Sequence, residues 1–334
     1  MLKKVVFLGM GGTIAGLSTL PGEHVAYVAG QVPIAHMLDG VPGLSAALAG
    51  QTPVCEQVAQ LDSKDMDVGH WVALAQRLNH YLEQPDVSSV IVTHGTDTLE
   101  ETAYFLSCVL AGDLLIRKPV VLTCAMRPAS ADFADGPGNL LDAALVAVAP
   151  GCRGLLLVCA GTIHCAAKVQ KVHPYRLNAF DSGESGPLGF VEAGQLRWLN
   201  DWERVSSPGV LKVDQLENVV WPRVEVVFSY AGVDGALLRC LIQEADGLSQ
   251  RLRGLVVVAP GNGSIHKALE PILMQAQAQG IRVVRVSRCA HGQVVGGSAG
   301  MVPSAPLPAA KARIALMLEI LHADLAGSSC LAAQ

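Results

Sequence analysis

Short runs of apolar or nearly apolar residues recur along the chain at Val5–Leu8, Val90–Val92, Val120–Leu122, Leu155–Val158, Val224–Phe228, Leu255–Val258 and Val283–Val286. Runs of this length, rich in branched side chains, predict strands buried on both faces, as in a parallel sheet. Helical patterns lie between many of them. Leu99, Ala103, Leu106 and Leu110 recur at i, i+4, i+7 and i+11, one face of a helix. The alternation predicts an α/β fold with a mostly parallel sheet flanked by helices. In such sheets ligands bind beyond the carboxyl ends of the strands.

The rhythm breaks between Val172 and Trp221, where Gly183, Gly186, Pro187, Gly189 and Pro208 punctuate short segments. It then resumes with Val224–Phe228 and two more strand–helix units. The expected organisation is a larger amino-terminal domain over residues 1–200 that carries the site, a linker over 201–222, and a smaller α/β carboxyl-terminal domain over 223–334. The tail SSCLAAQ is expected to fray.

Composition narrows the classes of function. The 334 residues are 51% hydrophobic and 16% charged, a packed globular chain rather than a disordered one. A net charge of -5 without a basic stripe excludes a nucleic-acid partner. No apolar segment approaches the length of a membrane span, and the apolar start in MLKKVVFLGMGG reaches glycines too soon for a signal-peptide core. Nine cysteines, an odd number, lie scattered in apolar contexts such as Cys124, Cys159 and Cys240, which suits buried free thiols in a reducing cytoplasm. Cys152, Cys159 and Cys165 lack paired zinc spacing and no HExxH occurs, so no metal and no other cofactor is expected.

Four turns then stand out as candidate chemistry. Gly9-Met10-Gly11-Gly12-Thr13-Ile14-Ala15-Gly16 follows the first predicted strand. A dinucleotide fingerprint fails there because Ile14 holds the third glycine position, and the Walker lysine is absent. The stretch reads either as a tight turn or as a hydroxyl nucleophile, Thr13, beside glycine N–H groups that hold an oxyanion. VTHGTDTLEET over Val92–Thr102 opens the helix of Leu99. A capping box, Asp97 with Glu100 or Thr98 with Glu101, explains part of it. Thr96, at the strand's carboxyl end, stays outside that explanation. LDSKDMD over Leu61–Asp67 reads by itself as an acidic helix start, and Gly261-Asn262-Gly263 as a turn.

Together the turns resemble the bacterial-type L-asparaginase family of threonine amidohydrolases, which includes the glutaminase-asparaginases. GGTIAG at Gly11–Gly16 and THGTDTLEETAYFL at Thr93–Leu106 are similar to its two signatures. The likeness continues through KPVVLTCAMRP at Lys118–Pro128, DGPGNL at Asp135–Leu140, GPLG at Gly186–Gly189 and the later GNG. The resemblance implies hydrolysis of L-asparagine to L-aspartate and ammonia through an acyl-enzyme, with some L-glutamine activity. It implies Thr13 as nucleophile, Tyr27 as the phenol that assists it, and Thr96, Asp97 and Lys171 as a second catalytic set. Lys168, three residues from Lys171, is the alternative lysine. Ser63 would hold the substrate's α-carboxylate, and the N–H groups of Gly12 and Thr96 would hold the oxyanion. Asn262 would act near a neighbouring subunit's active site, which implies a homodimer or homotetramer. A lysine serves as base only in its neutral form, which burial favours.

Two departures touch the substrate's ammonium group. The family commonly has glutamine where this chain has Lys64. The family also supplies an acidic residue after the strand that here ends near Ser287, but this chain has no Asp or Glu from Pro271 to Leu318. Either Lys64 turns to solvent or pairs with Asp62, Asp65 or Asp67, or substrate affinity is weak and preference has moved among amides. Two other readings share the signatures. One is the amide-hydrolysing subunit of a tRNA-dependent amidotransferase, which usually carries an amino-terminal extension. The other is a non-catalytic amino-acid-binding homologue, against which the full set Thr13, Tyr27, Thr96, Asp97 and Lys171 speaks.

Overall fold

The computed structural model describes residues 3–19, 26–202, 211–243, 251–296 and 302–331. Most of the expected linker's first half, 203–210, lies outside the described residues, as do 332–334 of the tail. The chain divides into two compact units, Met1–Ser207 with Lys212–Glu217, and Pro208–Leu211 with Asn218–Gln334.

In the first unit, strand β1 (Lys4–Gly11) runs into a short 3-10 turn, Thr13–Ala15, and a small antiparallel ribbon of β2 (Leu17–Ser18) and β3 (Tyr27–Val28). Two short helices, α1 (Ile34–Asp39) and α2 (Leu44–Ala47), lead to β4 (Thr52–Leu61), α3 (Val68–Glu83), β5 (Val87–Thr93), α4 (Leu99–Val109) and α5 (Gly112–Arg117). After β6 (Val120–Thr123), α6 (Gly136–Val148) and β7 (Leu155–Cys159), the chain turns antiparallel with β8 (Thr162–Cys165). A separate pair, β9 (Gln170–Lys171) with β10 (Phe180–Asp181), precedes β11 (Gly189–Glu192) and β12 (Gln195–Trp198). Strands β10, β11 and β12 are what the broken rhythm after Val172 conceals: two to four residues each, too short for any period to show.

One eight-stranded sheet runs in the order β12-β11-β8-β7-β6-β5-β1-β4. Strands β4, β1, β5, β6 and β7 are parallel. Val5, Val6, Phe7 and Leu8 are fully buried, as are Val90, Ile91 and Val92, because helices cover both faces. Helix α3 turns Trp71, Leu74, Leu78 and Leu82 to the core, and Trp71 stacks on Phe105 of α4 with ring centroids 5.2 Å apart.

The second unit has a parallel sheet in the order β13 (Arg223–Phe228), β14 (Leu252–Ala259), β15 (Arg282–Ser287). Helix α7 (Ala236–Gln243) follows β13, α8 (Glu270–Ala278) follows β14, and α9 (Ala309–Leu331) ends the unit. Leu238, Leu255, Val257, Leu273 and Val283 form its core. The helix α9 extends to Leu331, so most of the tail expected to fray is helical. Its residues Ser328 to Leu331 carry no helix breaker, and the helix continues through them.

Candidate active site

Chain order along the large sheet reverses at β1, which lies between β4 and β5. A crevice opens beyond the carboxyl ends of strands at such a reversal. The turn after β1 carries Thr13, the turn after β4 carries Ser63, and the turn after β5 carries Thr96. These turns touch through backbone. A Cβ on Gly12 would lie 2.2 Å from Gly95 Cα, and a Cβ on Gly95 would lie 2.5 Å from Ser63 Oγ. Gly12 also has φ 82°, a region that disfavours side chains. The three turns can meet only because these two positions lack side chains.

On one side of the contact Thr13 is buried, and its Oγ1 lies 2.7 Å from the Tyr27 hydroxyl. The β2–β3 ribbon places Tyr27 opposite Ser18, folding the phenol back over the turn. On the other side Thr96 is 4% exposed. Lys171 Nζ donates to Thr96 Oγ1 at 2.9 Å and to Asp97 Oδ1 at 2.7 Å. Lys171 comes from β9, which pairs with β10 rather than with the large sheet. Lys168, the alternative, lies on the exposed surface. The Asp97 N–H donates to Ser63 Oγ at 3.2 Å, so the Ser63 hydroxyl proton stays available to a ligand.

Several expectations are corrected. The Gly12 N–H is donated to the Leu61 carbonyl at 2.8 Å, so it is not the bare oxyanion donor expected of it. The cause is a shift in strand register that sets Gly11 opposite Leu61. Thr96 N–H makes no hydrogen bond among the described residues and remains the available donor. Neither capping box forms at α4. Thr98 is its N-cap without a side-chain cap bond, and its hydroxyl donates to the Ser63 carbonyl at 2.7 Å. Glu100 accepts the Lys171 backbone N–H instead. A capping box forms instead at α3, where Asp67 and His70 exchange bonds.

Lys64, expected at the substrate, turns to Asp62 Oδ2 at 2.8 Å and Asp65 Oδ2 at 3.1 Å, with its side chain 61% exposed. Asn262 belongs to the second unit, in the turn after β14. Its amide donates to the Val295 carbonyl and accepts the Val295 N–H, both at 2.7 Å.

Beneath the second signature runs a buried series of hydrogen bonds that no motif in the sequence points to. His94 is fully buried, and desolvation pushes its pKa down to about 4, against the opposing hydrogen bond to Gly95. Its Nδ1 lies 2.8 Å from the Gly95 carbonyl, which can only accept, so Nδ1 carries the proton. Its Nε2 then accepts from Thr102 Oγ1 at 3.0 Å, and Thr102 accepts from Trp71 Nε1 at 2.9 Å. The polar side-chain atoms of Trp71, Thr102 and His94 are all bonded in series, and the turn that carries Thr96 is fixed from below.

A strand-end crevice that holds two buried threonine hydroxyls, a phenol and a lysine–aspartate pair is suited to activating a hydroxyl for hydrolysis, and with the relatives below it defines an α/β amidohydrolase. The family described as asparaginase, N-terminal, matches residues 4–204, and the glutaminase/asparaginase C-terminal domain matches 223–324. L-asparaginase 2 of Bacillus subtilis is 34% identical over 328 residues, covering 96% of this chain and 83% of the relative. A probable periplasmic L-asparaginase of Haemophilus influenzae is 32% identical, covering 96% of this chain and 89% of the relative. The crystal structure of a probable cytoplasmic L-asparaginase from Campylobacter jejuni superposes with a TM-score of 0.84 at 31% identity, over 95% of each chain. The chain belongs to the bacterial-type L-asparaginase family and is an amidohydrolase of the L-asparaginase type.

Proposed function

We propose that the protein hydrolyses L-asparagine to L-aspartate and ammonia, with some turnover of L-glutamine, through a threonine nucleophile. The observation that carries this reading is the contact of the two signature turns, which sets the Thr13–Tyr27 pair beside the Thr96–Asp97–Lys171 set. In the first half-reaction Thr13 Oγ1 attacks the side-chain amide carbon while its proton passes to the Tyr27 oxygen and the phenol hands its own proton on toward the amide nitrogen. The Thr96 N–H holds the developing oxyanion, an interaction typically worth about 3 kcal/mol. The amide nitrogen takes a proton and leaves as ammonia, and Thr13 is left esterified. Water then attacks the ester carbon, returning the proton to Thr13 and releasing aspartate.

At rest Lys171 donates to Thr96. To draw a proton from that hydroxyl it must first pass one to Asp97 and then accept, reversing the hydrogen bond. Ser63 offers its hydroxyl proton to the substrate's α-carboxylate. Asp97 Oδ2, which makes no hydrogen bond among the described residues, is the acceptor for the α-ammonium. Lys64, held by Asp62 and Asp65, is kept from repelling that group.

The assembly we assign is a homodimer or homotetramer in which Asn262 acts near a neighbouring active site, and the compartment is the cytoplasm, which suits the eight free cysteines of the described residues. Ammonia release from L-asparagine, L-glutamine and succinamic acid, with wild type and Thr13→Val side by side, tests the reading. Release from asparagine that the variant abolishes supports it. Unchanged release from a stably folded variant removes Thr13 as nucleophile, and no release from any amide favours the non-catalytic homologue.

A further inference from the structure

Lys171 has an unusual mounting. Its strand, β9, is two residues long and pairs with β10 alone, in register Lys171 to Phe180 and Gln170 to Asp181. The eight-stranded sheet that fixes Thr96 therefore does not fix Lys171. Its backbone N–H points away from β10 and into the carboxylate of Glu100, in the first turn of α4. Its other end, Nζ, lies on Thr96 and Asp97. One stretch, Thr96–Glu100, thus grips the lysine at both the backbone and the ammonium. The residues joined are 71 apart in sequence, and neither is part of a shared strand or helix.

We infer that Glu100 is a positioning residue for the Lys171 side chain: its carboxylate sets the backbone of the β9–β10 hairpin at the distance from which Nζ reaches Thr96 and Asp97 together. This rests on the catalytic role proposed for Lys171. A local explanation for the acid exists, since an acidic residue in a first turn complements the helix dipole. That explanation makes no use of Lys171 and does not require a long-range acceptor. The geometry does: a charge-assisted bond to a backbone N–H is short and directional, and the lysine's tie to α4 would otherwise depend on its own mobile-ended side chain. A displacement near 1 Å at a reacting group can lower turnover by about 10²-fold.

The test compares Glu100→Ala, Glu100→Asn and Glu100→Gln in the full chain. Glutamine keeps a carbonyl oxygen at the same reach, whereas asparagine retracts it by one methylene. Glu100→Ala is expected to lower kcat for L-asparagine by about 30-fold with KM within about twofold, Glu100→Asn nearly as much, and Glu100→Gln by no more than about threefold. Placed on Lys171→Met, Glu100→Ala is expected to cost no more than about a further twofold, because a residue that acts through Lys171 has nothing left to position. Wild-type kcat in Glu100→Ala overturns the inference. So does an equal loss in Glu100→Gln, which would assign the effect to charge, and so does a full multiplicative loss on Lys171→Met. If Glu100→Ala fails to fold, Glu100→Asn against Glu100→Gln decides. Hydrogen exchange at the Lys171 amide separates this inference from the reading beneath it. Faster exchange in Glu100→Ala but not in Glu100→Gln shows the grip even if Lys171→Met retains full activity, which would sink the base assignment alone.

Discussion

Two glycine turns follow valine-rich strands in this protein, one after β5 and one after β14, and they are used in opposite ways. After β5 the sequence His94-Gly95-Thr96-Asp97 is held from below, by His94 on the Gly95 carbonyl, and leaves the Thr96 N–H and Asp97 Oδ2 without a partner among the described residues. In a trans peptide the Gly95 carbonyl and the Thr96 N–H point in opposite directions, so binding the carbonyl from beneath aims the N–H outward. After β14 the sequence Gly261-Asn262-Gly263 is closed from above. Both ends of the Asn262 amide are bound to Val295, and the Ser287 hydroxyl donates to the Gly261 carbonyl. Similar strand-and-turn architecture thus yields a chemical edge in one unit and a self-satisfied loop in the other. What differs is whether the polar groups of the turn are satisfied inside the core or at its surface.

The largest expected effect removes the hydroxyl that the first turn faces. Thr13→Val should lower kcat by about 10³-fold or more while the melting temperature holds within a few degrees, since the proposed nucleophile is lost and only the partly buried Tyr27 hydroxyl loses its partner. Steady-state ammonia release with a parallel melt reads both.

Gly95→Ala attacks the contact between turns. The added methyl meets Ser63 Oγ, so a destabilisation of about 1–3 kcal/mol is expected together with a clear loss of kcat. Native stability and activity in this variant would show that the three turns do not need to touch.

The first turn's dependence on a neutral histidine predicts a pH response. His94, and likewise His164, whose pKa burial also pushes down to about 4, stay neutral in the folded protein. Between the unperturbed value near 6.5 and that lowered value, the unfolded chain binds the proton and the folded one does not. Stability should therefore fall as pH drops through that window, by at most about 3 kcal/mol for each histidine. Denaturant midpoints from pH 7 to pH 4 check the sign. His94→Gln should flatten the slope, and an unchanged slope would show that His94 does not carry it.

The smallest effect concerns the second turn. Asn262→Ala removes two hydrogen bonds to Val295 and should cost about 1–3 kcal/mol of local stability. If the turn serves a neighbouring copy's site as proposed, KM for L-asparagine rises a few fold with kcat kept. A KM identical to wild type removes Asn262 from substrate binding and leaves it the loop clamp seen in the structure.

Much of this arrangement was legible before any coordinates. The continuous apolar runs predicted β1, β5, β6 and β7, which are buried on both faces, and all three strands of the second unit, where only the central β14 is buried throughout most of its length and the edge strands β13 and β15 are partly exposed. The signatures pointed to Thr13, Thr96 and Asp97, and the wider resemblance to Tyr27, Ser63 and Lys171; the structure brings Tyr27 to Thr13, Lys171 to Thr96 and Asp97, and Ser63 to the Asp97 N–H. The antiparallel strands β8 to β12 escaped because two to four residues carry too little periodicity. Trp71 and Thr102 escaped because each also reads as an ordinary core residue on a helix face. Glu100 was misassigned for a related reason: an acid in a first turn has a sufficient local explanation, and only a partner far along the chain shows that another applies.

The sequence by itself determined what is local or repeated: which segments bury both faces, which turns need glycine, and which hydroxyls and charges stand at strand ends. Only the tertiary structure decided how those groups are spent. It gave the Gly12 N–H to Leu61, turned Lys64 onto Asp62 and Asp65, closed Asn262 on Val295 and set Glu100 against the backbone of Lys171. The physical reason is that a hydrogen bond or ion pair is chosen by distance in space among several chemically adequate partners. Sequence names the candidates, and the packing of distant segments selects among them.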